Sequence, residues 1–131
     1  MKELTNKFGK NAEKIWIALN KKGTLDEKEL KKITKLKDRE FYSAIGWLAR
    51  ENKIYREGED YYKLDNTNLT PEIGVNAGKV WRALNVWGEV DVSTIKRLAE
   101  IDEEEIYSAL GWLVREDKVH TDEKQLKYSL K

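Results

Sequence analysis

The sequence predicts an α+β, helix-rich protein made of two copies of one unit, each with three helices followed by a two-stranded hairpin, packed with pseudo-two-fold symmetry. Three observations predict it: the chain repeats itself at a spacing of 65 residues, each copy holds stretches with apolar residues at helical spacing, and each copy ends on two short strand-like runs. Residues 4 to 61 align on 69 to 126, with identities that include Gly9/Gly74, Asn11/Asn76, Trp16/Trp81, Tyr42/Tyr107, Gly46/Gly111, Trp47/Trp112 and Arg50/Arg115. One extra residue in the second copy, near 122 to 127, then restores Tyr62 against Tyr128 and Leu64 against Leu130. An insertion there marks a hairpin tip. Copy 1 is thus expected over residues 1–65 and copy 2 over 69–131, with 66–68 as a short linker. The segment Asp65-Asn66-Thr67-Asn68 is turn-forming and too short to let the copies drift apart.

Each element can be justified in turn. Asn11 is expected to cap a first helix in which Ala12, Ile15, Trp16 and Leu19 form one apolar stripe, and Gly23 is expected to end it. In copy 2 the same roles fall to Asn76, then Ala77, Val80, Trp81 and Leu84, then Gly88. A short extended stretch around Leu25 (Val90) leads to a second helix with Leu30 and Ile33 inward (Ile95 and Leu98). After a turn at Lys35 to Lys37, Asp38 is expected to cap a third helix with Phe41, Ala44, Ile45 and Leu48 inward. Its copy carries Ile106, Ala109, Leu110 and Leu113. The hairpin runs Lys53 to Arg56, a polar tip, then Tyr61 to Leu64; its copy runs Lys118 to Thr121, a tip, then Leu126, Tyr128 and Leu130. Helix, short strand, helix, turn, helix, hairpin is the order of a winged helix-turn-helix unit.

Composition excludes several function classes. The 131 residues contain no Cys and one His, so disulfides, thiolate metal sites and imidazole triads lack their raw material. His120 aligns with Tyr55 on the first hairpin strand and has no Cys, second His or carboxylate cage beside it in the sequence, so it reads as a strand residue and not a ligand. Carboxylate pairs such as Glu57 with Glu59 fall on a turn and imply no concave site. No apolar run approaches the roughly 18 residues of a membrane span. These points predict a cytoplasmic, non-enzymatic protein with no cofactor and no metal. Charged residues make up 37% of the chain, above the roughly 25% of ordinary domains, which leans towards a thermophilic origin; eight Asn lean the other way.

The strings NAEKIWIALNKKG and YSAIGWLARENK, with their copies NAGKVWRALNVWG and YSALGWLVREDK, resemble an uncharacterised winged helix-turn-helix family found in bacteria and archaea. The resemblance covers nearly the whole chain, twice, and the A-x-G-W-L-x-R-E-x-K segment is its most distinctive part. It implies a nucleic-acid-binding or protein-binding role, with no assigned substrate, catalytic set or cofactor. Since the family is one of single-copy chains, it also implies either a monomer whose internal pseudo-dimer replaces a homodimer or a homodimer of the duplicated chain.

Net charge is only +1, but its distribution is uneven. Residues 1 to 70 carry 16 cationic and 12 anionic side chains, a net of +4, whereas residues 71 to 131 carry 9 and 12, a net of −3. Lys28, Lys31, Lys32, Lys35, Lys37 and Arg39 cluster on the helix-turn-helix of copy 1, where winged helices commonly meet duplex DNA. Phosphate contacts by this cluster are one reading, with Ser43, Arg50, Lys53 and Arg56 as added contacts; a solvated charged face is the other. The equivalent helix of copy 2 opens Asp102-Glu103-Glu104-Glu105, which suits a helix N-terminus but repels phosphate.

A second stripe on the third helix combines Ser43, Trp47 and Arg50 with Tyr42 and Gly46, and copy 2 repeats it with Tyr107, Gly111 and Trp112. A mid-helix Gly costs about 1 kcal/mol relative to Ala, so another element is expected to approach there. Either each Trp packs within its own copy or the two stripes meet between copies. Trp87 replaces Lys22 and is expected at the surface, as an anchor for a protein partner. Two functions follow: regulatory or architectural DNA binding through copy 1, in transcription regulation for example, or a protein-interaction adaptor.

Overall fold

The computed structural model describes residues 2–122 and 127–131; Glu123, Lys124 and Leu126, assigned above to the second hairpin and its tip, lie outside the described residues. Copy 1 comprises α1 (Lys2–Lys22), β1 (Leu25–Asp26), α2 (Glu27–Thr34), α3 (Asp38–Arg50), β2 (Ile54–Glu57) and β3 (Tyr61–Leu64). In copy 2 a π-helical turn, Thr70–Gly74, runs straight into α4 (Val75–Trp87). It is followed by β4 (Val90–Asp91), α5 (Val92–Ala99), α6 (Glu103–Arg115), β5 (Val119–Thr121) and β6 (Lys127–Leu130). The order is that of two winged helix-turn-helix units.

Local chemistry sets the boundaries. Gly23 and Gly88 end α1 and α4 at φ 81° and 78°, a left-handed conformation that favours glycine. Asp26 accepts the Glu29 N–H at 2.7 Å while the Glu29 carboxylate accepts the Asp26 N–H at 3.2 Å, a reciprocal cap that starts α2. Asp91 accepts the Thr94 N–H at 2.8 Å to start α5, and its bonds to the Thr94 side chain and backbone hold its carboxyl below the usual range. Lys35 and Glu100 close α2 and α5 in the left-handed region, at φ 60° and 57°.

Four expectations are corrected. Asn11 lies inside α1 and Asn76 inside α4, so neither caps a helix. Asn76 is buried and donates to Glu105 at 3.0 Å. Asp38 is the first residue of α3, not its cap; Lys37 precedes the helix and its N–H donates to the Glu40 carboxylate at 2.9 Å. Ile33 is not inward but 43% exposed, while Leu30 is buried. The extended stretch at Leu25 does more than connect helices: it pairs with β3, so each wing is the edge of a three-stranded antiparallel sheet, ordered β1-β3-β2 in copy 1 and β4-β6-β5 in copy 2. Tyr62 and Tyr128, on the central strands, are buried beneath these sheets.

The earlier start of the first helix has a physical cause. Phe8 is buried in the core of copy 2, among Val80, Ile106 and Leu110, and its equivalent Ile73, with Leu69, is buried in the core of copy 1. Each copy thus completes the other's core. Burying a side chain of this size contributes about 1.5–3 kcal/mol, enough to hold the extra turns in place.

Candidate nucleic-acid interface

Helical spacing separates the cations of α2 into two groups. Lys28, Lys32 and Lys35 recur at i, i+4 and i+7 along one side of α2 and its C-cap, and all three are exposed. Lys37 and Arg39, exposed at the entry of α3, extend this surface. Among the described residues, no carboxylate lies within ion-pair distance of these five.

Lys31 points elsewhere. Its ammonium lies 3.1 Å from Glu27, 3.0 Å from Asp38 and 3.3 Å from the Tyr42 hydroxyl, which itself donates to Glu27 at 2.9 Å. Burial opposes its charge, yet the bonds to Asp38, Glu27 and Tyr42 outweigh it and raise its pKa. It joins α2 to α3 and is not available to phosphate.

Other cations are also committed within the molecule. Arg50 lies 3.1 Å from Glu116 and over the Trp112 ring; Arg115 repeats this with Glu51, at 3.1 Å, and Trp47. Arg56 pairs with Glu72, tying the first wing to the turn that leads into α4. Lys53 approaches Glu51 at 3.5 Å. Ser43 is only 6% exposed, with its carbonyl facing Gly111, so it cannot reach a duplex.

The third helix itself is covered. Eight of the thirteen residues of α3 are buried, because one face enters the copy 1 core and the face bearing Ser43 and Gly46 packs along α6. A Cβ on Gly46 would lie 1.8 Å from the Ser108 carbonyl oxygen, and one on Gly111 would lie 1.8 Å from that of Ser43. Backbone therefore meets backbone at this contact. Trp47 and Trp112 are half-buried between the two cores, and a Cβ on Gly9 would stand 3.2 Å from Trp47. Placing α3 in a major groove would require separating the copies.

Copy 2 shows what the exposed surface becomes when its charge changes. At the 65-residue spacing, Lys28, Lys32, Lys35, Lys37 and Arg39 become Ser93, Arg97, Glu100, Asp102 and Glu104. Glu103 and Glu104 line the same cleft as Lys37, Arg39, Tyr42 and Tyr107. The strongest positive field on this side consequently lies over Lys28, Lys32 and Lys35.

Buried tyrosines give the fold a distinct pH response. Burial raises the pKa of Tyr42, Tyr62 and Tyr128 above the ordinary value of 10.0, and the bond to Glu27 adds to the effect at Tyr42. Folded-state pKa values raised in this way, including that of Lys31, leave their stabilisation complete below the ordinary values and remove it as pH rises through the folded ones. Thermal midpoints followed by circular dichroism are expected to stay level up to about pH 9 and to fall steeply above about pH 10. A midpoint that is level through this upper range would contradict the buried, neutral tyrosines.

The exchange of Phe8 and Ile73 has no distinct sequence signal: each continues the helical stripe of its own copy, four residues before Ala12 and Ala77, and spacing does not say which core it enters. Among the described residues, no helix is long and apolar enough to cross a membrane and no cluster of His, Cys, Asp and Glu could hold a metal ion. A family model described as winged helix-turn-helix domain (DUF2582) matches residues 1–64 and again residues 65–131. No curated protein and no solved structure matches the chain.

Proposed function

Because the chain belongs to the winged helix-turn-helix domain (DUF2582) family, which it carries twice, we propose that it is a non-enzymatic nucleic-acid-binding protein that grips duplex backbone through copy 1. Winged helix-turn-helix domains bind nucleic acid in general, and the observation that carries this reading is the charge reversal between two otherwise matching surfaces. Five exposed cations in copy 1 stand where copy 2 has one cation and three carboxylates. Each Lys or Arg that neutralises a phosphate releases counterions, so the copy 1 surface supplies affinity that the copy 2 surface withholds.

A backbone-positioning mode is the reading favoured, since α3 is closed against α6 along most of its length and exposes chiefly its first turn, with Arg39 its one exposed cation there. That favours an architectural role over sequence-selective transcription regulation. Replacing Lys28, Lys32, Lys35 and Lys37 together by Gln is expected to weaken binding equally across duplex sequences and to reduce the salt slope by about 3 to 4. Glu103→Gln with Glu104→Gln, across the cleft, is expected to strengthen it. Fluorescence anisotropy of labelled duplexes checks both; unchanged affinity in the four-lysine variant would remove this face from the account.

One observation favours a second reading, a protein adaptor: Trp87 is 62% exposed on α4, with Val86 beside it. An exposed Trp is a strong anchor for a partner protein. Trp87→Ala is expected to lose that partner in an affinity pull-down, and its retention would exclude the anchor.

A further inference from the structure

Both copies carry an open groove between the first and second helix of the unit, apolar in copy 1 and mixed in copy 2, and we propose that these grooves dock an acidic amphipathic helix of a partner protein. In copy 1 the floor is Ile17, Ala18 and Ile33, with Ile17 49% and Ile33 43% exposed, and Lys14, Lys21 and Lys22 form the rim around a volume of about 430 Å³. In copy 2 the floor is Ala83, Val86 and Leu98, Trp87 stands at its side, and Lys79 and Arg82 supply the positive charge around about 460 Å³. Glu100 is the carboxylate on that rim.

Three features point to this occupant. First, large apolar side chains are brought side by side in solvent on a chain of which 37% is charged, so a polar alternative was chemically close at hand. Secondly, part of the groove recurs although the helix-turn-helix face reversed its charge: Lys14 recurs as Lys79, Ala18 as Ala83 and Ile33 as Leu98, while Ile17, Lys21 and Lys22 become Arg82, Val86 and Trp87, so the copy 2 rim holds two cations beside Glu100. The apolar floor and three-lysine rim of copy 1 are complementary to an apolar stripe flanked by carboxylates, and copy 2 offers a less positive version of the same site. Thirdly, two helices with a trough between them match the shape of a third helix laid into the groove. A phosphate backbone would satisfy the lysines but leave the isoleucines in water, which favours a protein helix over duplex. The inference stands apart from nucleic-acid binding and supplies a partner chemistry for the adaptor reading, on which it does not rest.

The test titrates the full chain into a labelled four-turn peptide with leucines at i, i+3, i+4 and i+7 and glutamates elsewhere, against a reference peptide with lysines in place of the glutamates. Saturable binding of the acidic peptide alone is expected, weakened about tenfold or more by Ile17→Glu with Ile33→Glu and Trp87→Ala combined. Lys14→Glu, Lys21→Glu and Lys22→Glu together, all at exposed positions that leave the core untouched, are expected to abolish the copy 1 site alone and so to lower the number of peptides bound per chain from two to one. Absence of saturable binding, equal binding of the lysine peptide, or displacement by duplex with no effect of the isoleucine changes would each overturn the proposal. Loss of a pulled-down partner on Trp87→Ala while the acidic peptide fails to bind would retain the adaptor and reject this partner chemistry.

Discussion

Alanine at Gly46 is expected to destabilise the protein by about 3 kcal/mol, although alanine is the better helix former. The new methyl would sit 1.8 Å from the Ser108 carbonyl oxygen, which is backbone and cannot rotate aside. Either α3 and α6 separate, exposing the apolar surface between them, or both helices shift and the reciprocal Arg50–Glu116 and Arg115–Glu51 pairs are lost. Gly111→Ala meets the Ser43 carbonyl oxygen at the same distance, 1.8 Å, and is expected to cost as much. Gly78 is the internal control. It lies within α4 with open space where its Cβ would be, so Gly78→Ala is expected to stabilise by up to about 1 kcal/mol. Urea denaturation of the three variants reads both signs. A gain in stability at Gly46 would mean that the copies do not meet at this contact.

Phe8→Ala is expected to cost about 3–5 kcal/mol and to do its damage in the copy to which Phe8 does not belong. The phenyl ring fills a place in the core around Val80, Ile106 and Leu110, so amide exchange is expected to accelerate in α4 and α6 before α2 and β2. Ile73→Ala, at about 2–5 kcal/mol, is expected to reverse the pattern, because Ile73 and Leu69 complete the copy 1 core. Hydrogen exchange resolved by peptide separates the two outcomes. Loss of protection confined to the mutated residue's own copy would contradict the exchange.

This exchange explains both what the sequence reveals and what it conceals. The winged helix-turn-helix order was legible because Ile15, Leu30, Phe41, Ile45 and their counterparts follow helical spacing within each copy. Phe8 extends that spacing to an earlier start of α1, but the pattern does not report that its ring enters the core of the other copy. The preference of Asn for helix N-caps competes at position 11 with the stripe that Phe8 extends, and the stripe wins. Similarly, Gly46 and Gly111 signalled a close approach, but spacing alone could not say which element approached. At the candidate interface the six clustered cations were readable as a group, whereas the diversion of Lys31 into the Glu27–Asp38–Tyr42 network depends on geometry between α2 and α3. Ser43 is not available to a ligand because its face of α3 is occupied by α6, a contact between copies that spacing within one copy cannot reveal.

Fusion of two copies also has an electrostatic consequence. A homodimer must present every surface twice with one charge, while a duplicated chain can change one surface and keep the other. Here the core contacts Gly46/Gly111, Trp47/Trp112 and Arg50/Arg115 stay paired, and the outer helix-turn-helix faces have parted to opposite sign.

The most direct test of this account is the salt dependence of wild-type binding to a labelled random duplex. With up to five phosphate contacts, the logarithm of the association constant is expected to fall with the logarithm of salt concentration at a slope of up to about −4.5. Affinity would then drop by roughly 10²–10³-fold between about 50 and 200 mM salt, with no preference among duplex sequences. No binding at the lower salt, or binding that ignores salt, would contradict it.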